Sequence, residues 1–232
     1  NTGTTVDLKV IKPSIIDQYE LGIKKDFWRG LLSTNVTLYQ IENSNLAQTA
    51  EFKADGSSNT DSSIKVLSGS TKSKGVELDI TARPTEGLSI IAGYSYNDMR
   101  YTKTSGIEGS FIVGDRLTRT PANTANLSFF YTLPSGVLKD VSFGATTNYI
   151  GKRVGGWNNQ YKATEPNGIL DREIPLEGYT SIDLSAGYKW KQFSILCKLS
   201  NITNELNYTV HENYSVNPIA PRQVMTALKY NF

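Results

Sequence analysis

The sequence predicts an all-β chain: a transmembrane, antiparallel, up-and-down β-barrel. Three observations carry that expectation. Apolar residues fall on every second position, as in GVELDITARPTEGLSIIAGYSY at 75 to 96, where Val76, Leu78, Ile80 and Ala82 precede the turn PTEG and Leu88, Ile90, Ala92, Tyr94 and Tyr96 follow it. That is the period of a strand with one greasy and one polar face. Most such runs are longer than the roughly 5 or 6 residues of soluble strands, and exceed the about 9 to 11 that cross a bilayer at a tilt. Finally, short turns alternate with long loops rich in Ser, Asn, Gly, Asp and Thr, the layout of an outer-membrane barrel.

About nine runs qualify as strands. The first, 14 to 27, places Tyr19, Leu21 and Ile23 on one face and turns at Trp28-Arg29-Gly30. Lys25 shares their parity, but it lies near enough to the turn for its amine to snorkel to the headgroups. The second, 31 to 48, carries Tyr39 on the opposite parity, and a long loop, 49 to 64, follows it. Strands 65 to 83 and 88 to 104 form the hairpin quoted above, across Pro84-Thr85-Glu86-Gly87. After the loop 105 to 117 come 118 to 133, the short stretch PSGVL at 134 to 138, and 139 to 155, where Val141, Phe143, Ala145 and Tyr149 oppose Ser142, Gly144, Thr146 and Asn148. Beyond the loop 156 to 174, the run 175 to 189 sets Ile182, Leu184, Ala186, Tyr188 and Trp190 against Ser181, Asp183, Ser185, Gly187 and Lys189. Trp190-Lys191 leads into 192 to 208, and the loop 209 to 219 precedes the last strand, 220 to 232. No capped segment with a 3.6-residue period competes with these strands.

The apolar faces carry almost no charge, which suits a lipid surface, because Lys or Arg at the bilayer midplane costs about 2–4 kcal/mol. Phe27, Trp28, Tyr188, Trp190, Tyr230 and Phe232 fall at the short-turn end, where an aromatic girdle belongs. A soluble β-sandwich would place Val, Ile or Leu on the faces that here hold Ser, Gly, Asp and Lys.

Composition narrows the partners. Hydrophobic residues are 38% of the 232, while Tyr at 13 and Gly at 19 are generous. Lys+Arg 24 against Asp+Glu 22 leaves no electrostatic case for a nucleic-acid partner. The one cysteine, Cys197, makes no internal disulfide and reads as a small apolar residue on a buried or lipid-facing surface. No run reaches the length of a spanning helix, and the opening NTGTTVDLKV has neither a basic head nor an apolar h-region.

Counting strand ends adds an expectation. Strand 14 to 27 starts on the long-loop side, which makes 1 to 13 the tail of an extracellular loop. Nine is odd, whereas bacterial single-chain barrels close with an even number, and an open sheet edge in lipid is untenable. Residues 14 to 232 are thus expected to be the C-terminal strands of a larger barrel.

Ordered stretches then resemble a family. They are Lys12-Pro13 with DQYELGIK at 17 to 24, SKGVELD at 73 to 79, AGYSYN at 92 to 97, GDRLTRTPANTANL at 114 to 127, YIGKR at 149 to 153, GYTSID at 178 to 183, LSNITN at 199 to 204, and Pro221-Arg222 through Tyr230-Asn231-Phe232. Together they resemble the C-terminal half of the barrel in TonB-dependent outer-membrane receptors, most closely the ferric-siderophore receptors. The resemblance implies a 22-strand barrel, of which these are about nine strands, closed by an N-terminal plug domain absent from this sequence. It implies a ferric siderophore bound in an extracellular vestibule, import driven by the TonB complex through the plug, and iron present only as cargo, with no covalently bound cofactor. The implied surroundings are outer-membrane lipid and lipopolysaccharide, with the plug and remaining barrel as partners.

For ligand contact the useful side chains are aromatics and cations at the long-loop end. By parity Tyr39, Tyr101, Tyr179 and Tyr208 face the lumen there, and Trp157 and Tyr161 lie in the longest loop. A ferric chelate is rigid, partly apolar and rich in oxygen; aromatic rings offer area and donors at low entropy cost, while Arg116, Arg119 or Arg153 oppose anionic chelates. Each of these is also an ordinary girdle or loop residue. In the last strand Val224, Leu228, Tyr230 and the terminal Phe232 resemble the signal read by the outer-membrane assembly machinery. Catalysis has little support: His211, in LNYTVHENYS beside Glu212 and Ser215, reads as an exposed loop histidine, and no metal cluster or catalytic set is expected. Glu77 and Asp79 read as solvated lumenal carboxylates, paired with lumenal Lys or Arg. The Asn-x-Ser/Thr triplets at Asn35, Asn126, Asn201 and Asn207 read as polar strand residues. The rival architectures are an autotransporter translocator, which needs a pore-spanning helix before the first strand, and a passive porin, disfavoured by the ordered motifs.

Overall fold

The computed structural model describes residues 13–49, 57, 60–61, 63–104, 112–157, 173–211 and 215–232. Among the described residues are thirteen strands: β1 (Ile15–Phe27), β2 (Leu32–Thr49), β3 (Lys65–Ala82), β4 (Leu88–Lys103), β5 (Asn123–Thr132), β6 (Val141–Ile150), β7 (Arg153–Trp157), β8 (Glu173–Leu176), β9 (Tyr179–Trp190), β10 (Phe193–Ser200), β11 (Tyr208–His211), β12 (Ser215–Pro218) and β13 (Gln223–Tyr230). Nine of them form one antiparallel sheet in the order β1-β2-β3-β4-β5-β6-β9-β10-β13, so each strand neighbours the next wall strand in sequence. The remaining four form two separate hairpins, β7 with β8 and β11 with β12, at the long-loop end. The sheet is open, with β1 and β13 at its edges and not paired with each other.

Register carries the parity of one strand across the whole wall. Ile90, Phe129, Ala145, Leu184, Leu199 and Val224 are successive cross-strand partners on one face. Gly22, Thr37, Glu77, Ser95, Thr124, Ile150 and Tyr179 make such a row on the other. A slip of one residue at any pairing would exchange the two faces of that strand. Among the described residues Val154 is the only buried apolar side chain, while Leu21, Ile23 and Leu228 are 70%, 72% and 73% exposed. Each such side chain left in water forfeits about 1.5–3 kcal/mol, so this face needs an apolar solvent. No second sheet lies over the nine-stranded one among the described residues, which removes the sandwich alternative.

Aromatic residues meet at the short-turn end, as the sequence predicts. Trp190 stacks on Phe193 (6.4 Å between centroids), Phe193 tilts against Tyr230 (4.8 Å), and Phe232 meets Tyr230 edge-on (4.9 Å). The Lys25 amine lies 5.0 Å from the Phe27 ring centroid, a cation–π placement at the girdle that lets this lysine share the apolar parity. Gly87 has φ +78°, and a Cβ there would collide with the Thr132 carbonyl of the neighbouring strand, so this short turn requires glycine.

Five predicted strands are too long. The run 175 to 189 joins the wall only at Tyr179, because Pro175 and Leu176 pair with β7. The run 118 to 133 becomes strand only at Asn123: the stretch around Gly114–Leu117 pairs back to β4 through Tyr101 N–H to Asp115 O (3.0 Å), Gly114 N–H to Tyr101 O (2.8 Å) and Leu117 N–H to Met99 O (3.2 Å). Positive φ at Gly114 (95°) and Arg119 (71°) breaks its extension. The run 139 to 155 leaves the wall after Ile150, and residues from Arg153 join β8 instead. The run 192 to 208 stops at Ser200 because Asn201 turns to φ 49°, and the last strand spans Gln223–Tyr230 rather than 220 to 232.

Two outcomes follow from the face assignment. Leu184→Lys loses about 2–4 kcal/mol of stability in lipid vesicles, whereas Ser185→Lys on the opposite face loses little; denaturant unfolding from vesicles measures both. Cys197, in register with Ala186 and Thr226 on the apolar face, reacts with a lipid-soluble maleimide and resists a charged one, while Glu77→Cys in a Cys197→Ala background does the reverse.

Candidate functional site

Above the wall at the long-loop end, buried polar groups replace apolar packing. Arg153, the first residue of β7, is 8% exposed. Its guanidinium donates to Glu177 O (3.2 Å), Gly151 O (3.4 Å), Asn207 Oδ1 (3.0 Å) and the carbonyl of Tyr208, and lies 5.4 Å from the Tyr179 ring centroid. One cation thus joins the β7–β8 hairpin, the segment entering β9 and the start of β11. Only a planar fork of fixed donors serves so many acceptors at once. Asn207 reinforces the junction, with Nδ2 donating to Glu177 O (3.3 Å). Arg119 contributes its backbone, donating N–H to Val154 O (2.9 Å) and tying the segment before β5 to the same hairpin. The exposed Lys152–Glu177 pair at 3.0 Å adds little.

Asn201 is the foot of the next loop. It is 5% exposed, receives Glu205 N–H at Oδ1 (2.8 Å), and donates from Nδ2 to Glu205 O (3.0 Å) and Ala220 O (2.9 Å). Its backbone N–H reaches Asp183 Oδ1 (2.9 Å), whose other oxygen pairs with Lys198 Nζ (2.7 Å). Asn201 and Asn207 are loop anchors, not the polar strand residues that the sequence predicts. Asparagine itself is the signal: Asn201 tolerates the positive φ that ends β10, and both amides satisfy freed backbone groups.

The other predicted residues separate. Tyr179 and Tyr101 lie at the long-loop ends of their strands with lumenal parity, in register with Ile150 and Thr71. Tyr39 shares that face but sits lower, its phenol lying against Gly75, where a Cβ would strike the ring. Tyr208 is not a wall residue: β11 has left the sheet, and the Tyr208 carbonyl accepts from Arg153. Arg116 bridges to Arg100 and pairs with Asp98 (3.1 Å), which Arg100 also holds (2.9 Å). Asp98 shares parity with Tyr94 and Tyr96, so this cluster lies on the outer side of the wall. Arg119 is exposed at the loop. Trp157 ends β7, and Tyr161 lies outside the described residues. Val224, Leu228 and Tyr230 occupy the apolar face of β13, opposite Leu199, Ile195 and Phe193. Asp79 takes an amide partner, Asn35 Nδ2 at 3.4 Å, where a cation was expected.

A family model for the TonB dependent receptor-like β-barrel matches residues 1–204. The chain belongs to this family of TonB-dependent receptor barrels. Its wall is therefore an outer-membrane wall, with short turns on the periplasmic side. The ferric-pyoverdine 358 receptor of Pseudomonas putida is 26% identical over 226 residues, 97% of this chain and 25% of that protein. The ferrioxamine B receptor of Salmonella typhimurium is 27% identical over 182 residues, 77% of this chain and 22% of that protein. The crystal structure of the ferripyoverdine receptor of Pseudomonas aeruginosa superposes with a TM-score of 0.75 at 24% identity, covering 95% of this chain and 28% of that one, a likeness of fold. This TonB-dependent receptor chain thus spans about a quarter of the length of the curated relatives it matches.

Arg153→Ala orphans several buried carbonyls, at about 1–3 kcal/mol for each group left unpaired. Hydrogen exchange rises in 173–178 and 207–211 of this variant and stays unchanged in β3 and β4, with Arg153→Lys intermediate.

Proposed function

We propose that these strands are the C-terminal wall of an outer-membrane receptor that binds and imports a ferric siderophore, with further strands and a plug domain completing the barrel. The observation that carries this reading is that relatives matched along nearly the whole chain, 97% in one case, are receptors named for ferric siderophores. The lumenal rows and the loop junction at Arg153 fit such a role. They supply a wet wall below and a firmly built vestibule above, with Tyr101 and Tyr179 as the wall aromatics nearest the mouth, Arg119 from the loop before β5 and Trp157 from the end of β7; Tyr161, a further ligand contact in this reading, lies outside the described residues. Tyr39 lies deeper along the ligand's route, and Tyr208 shapes the vestibule through its backbone. In this reading Arg153 and Arg116 act as struts rather than as anion contacts, because carbonyls and Asp98 already engage them.

The ferric chelate is cargo, and the chain performs no chemistry on it. Energy reaches the ligand from the TonB complex through the plug. Lipid and lipopolysaccharide bathe the outer face, and Val224, Leu228, Tyr230 and Phe232 serve as the assembly signal. The expected extracellular-loop tail, 1 to 13, lies outside the described residues but for Pro13.

Growth of an iron-starved deletion strain complemented with the full receptor, on ferric pyoverdine or ferrioxamine B as sole iron source, tests this reading. Tyr101→Ala or Tyr179→Ala weakens chelate binding to whole cells by about tenfold, the scale of one aromatic contact. Uptake restricted to haem, a vitamin or a saccharide would overturn it.

A further inference from the structure

The lipid face is not uniform. Between β5, β6, β9 and β10 it carries an open depression of about 490 Å³, within the size range of small-molecule sites. Its form follows from register. In one cross-strand row Phe129, Ala145 and Leu184 are neighbours, and in the next Phe143, Ala186 and Cys197. Two alanines and a cysteine make a low floor, and two phenylalanines and a leucine make raised walls. The floor lies four to six residues from the short turns in β6, β9 and β10, which places it in the periplasmic half of the wall.

Bulk lipid tails are as apolar as this floor, so hydrophobicity alone retains no particular lipid. Selective retention requires shape together with headgroup charge, and the depression has both. Ala186 is five residues above Lys191 on β9 and its turn, about 17 Å along the strand at 3.3 Å per residue and about 13 Å along the membrane normal at a tilt of about 40°. That lies within the roughly 15 Å half-thickness of the hydrocarbon core, on the periplasmic side of the midplane. Lys191 Nζ lies 5.0 Å from the Trp190 ring centroid, at the girdle where headgroups sit. A second cation is close by: Lys189 N–H donates to Asp140 O (3.3 Å), which brings the turn carrying Lys139 beside the end of β9. Asp140 is the carboxylate of the same rim, and Lys189 itself has lumenal parity.

We propose that this depression holds one acyl chain of an anionic phospholipid of the inner leaflet, with its phosphate at Lys191 and Lys139. The site is built by small residues set among large ones on four adjacent strands. It is independent of ligand uptake through the lumen, and a defect in either leaves the other testable.

The test is photocrosslinking of the protein as the cell makes it, in bilayers doped with phosphatidylglycerol bearing a mid-chain diazirine, followed by peptide mapping. Adducts concentrate on residues 123–132, 141–150, 179–190 and 193–200. Ala186→Phe, which fills the depression at an already exposed position, abolishes that concentration, and Val36→Phe on the same face elsewhere leaves it intact. Lys191→Ala lowers the preference for phosphatidylglycerol over phosphatidylethanolamine about fivefold, the worth of one cation at a membrane surface. Adducts spread evenly over all lipid-facing rows, or unmoved by Ala186→Phe, overturn the proposal. So does a preference for lipid A, which would place the site in the outer leaflet, or a protein crosslinked at Cys197 in cells.

Discussion

The structure depends on one constraint: in hydrocarbon, every backbone N–H and C=O needs a partner within the protein. A strand meets it only through its neighbours, which is why these strands are long, antiparallel and joined to the next in sequence. The same constraint explains the absence of a conventional core. Apolar side chains are free to face outward because lipid, not a second sheet, receives them. The lumenal face then carries what water tolerates, such as Glu77, Asp79 and Ser95. β1 and β13 each keep one ladder side unpaired within this sheet, and the proposed larger barrel is what satisfies them.

Beyond the bilayer the constraint changes form. Loops lack the regular ladder, so side chains satisfy the backbone instead. Arg153 and Asn201 do so from buried positions, and each serves several acceptors or donors. A cation taken out of water costs several kcal/mol unless its donors are met. Arg153 spreads that cost over carbonyls from three segments, so its loss is felt as loosened loops and not as a broken wall. The division suits a receptor whose wall is fixed and whose loops must hold a shape over open water.

What was legible in the sequence divides at the same boundary. All nine wall strands, their order and their faces could be read from parity, because a strand pressed on one side by lipid and on the other by water writes its period into the residues. Lys25 shows how specific that signal is, as this violation near the short turns lies at the girdle beside Phe27, while Asp17, Asp98 and Arg100 take the apolar parity only toward the long-loop end. The strand ends were not legible. Ile150 and Ser200 stop their strands where the backbone turns or leaves for other partners, and Gly114–Leu117 pairs back to β4, and none of these events disturbs alternation. Side-chain targets in the loops were illegible for the same reason. Arg116 and Arg153 read alike as cations near the mouth, but one meets Asp98 on the outer side and the other is buried among carbonyls.

Local pattern also hides what adjacent strands make together. Phe129, Ala145, Phe143 and Ala186 each look like an ordinary lipid-facing residue within its own strand. Once register sets Phe129 beside Ala145 and Phe143 beside Ala186, size alternates across the sheet as well as polarity through it. The polarity pattern is forced by the solvent on each side, since any violation is expensive. No such force acts on size, because lipid conforms to flat and pitted surfaces alike. A pit lined this way, above a rim with Lys191 and Lys139, is therefore a property of the pairings rather than of any strand, and the wall's two surfaces differ in chemistry: a wet one that the proposed function assigns to cargo and a greasy one that the proposed site assigns to a particular lipid.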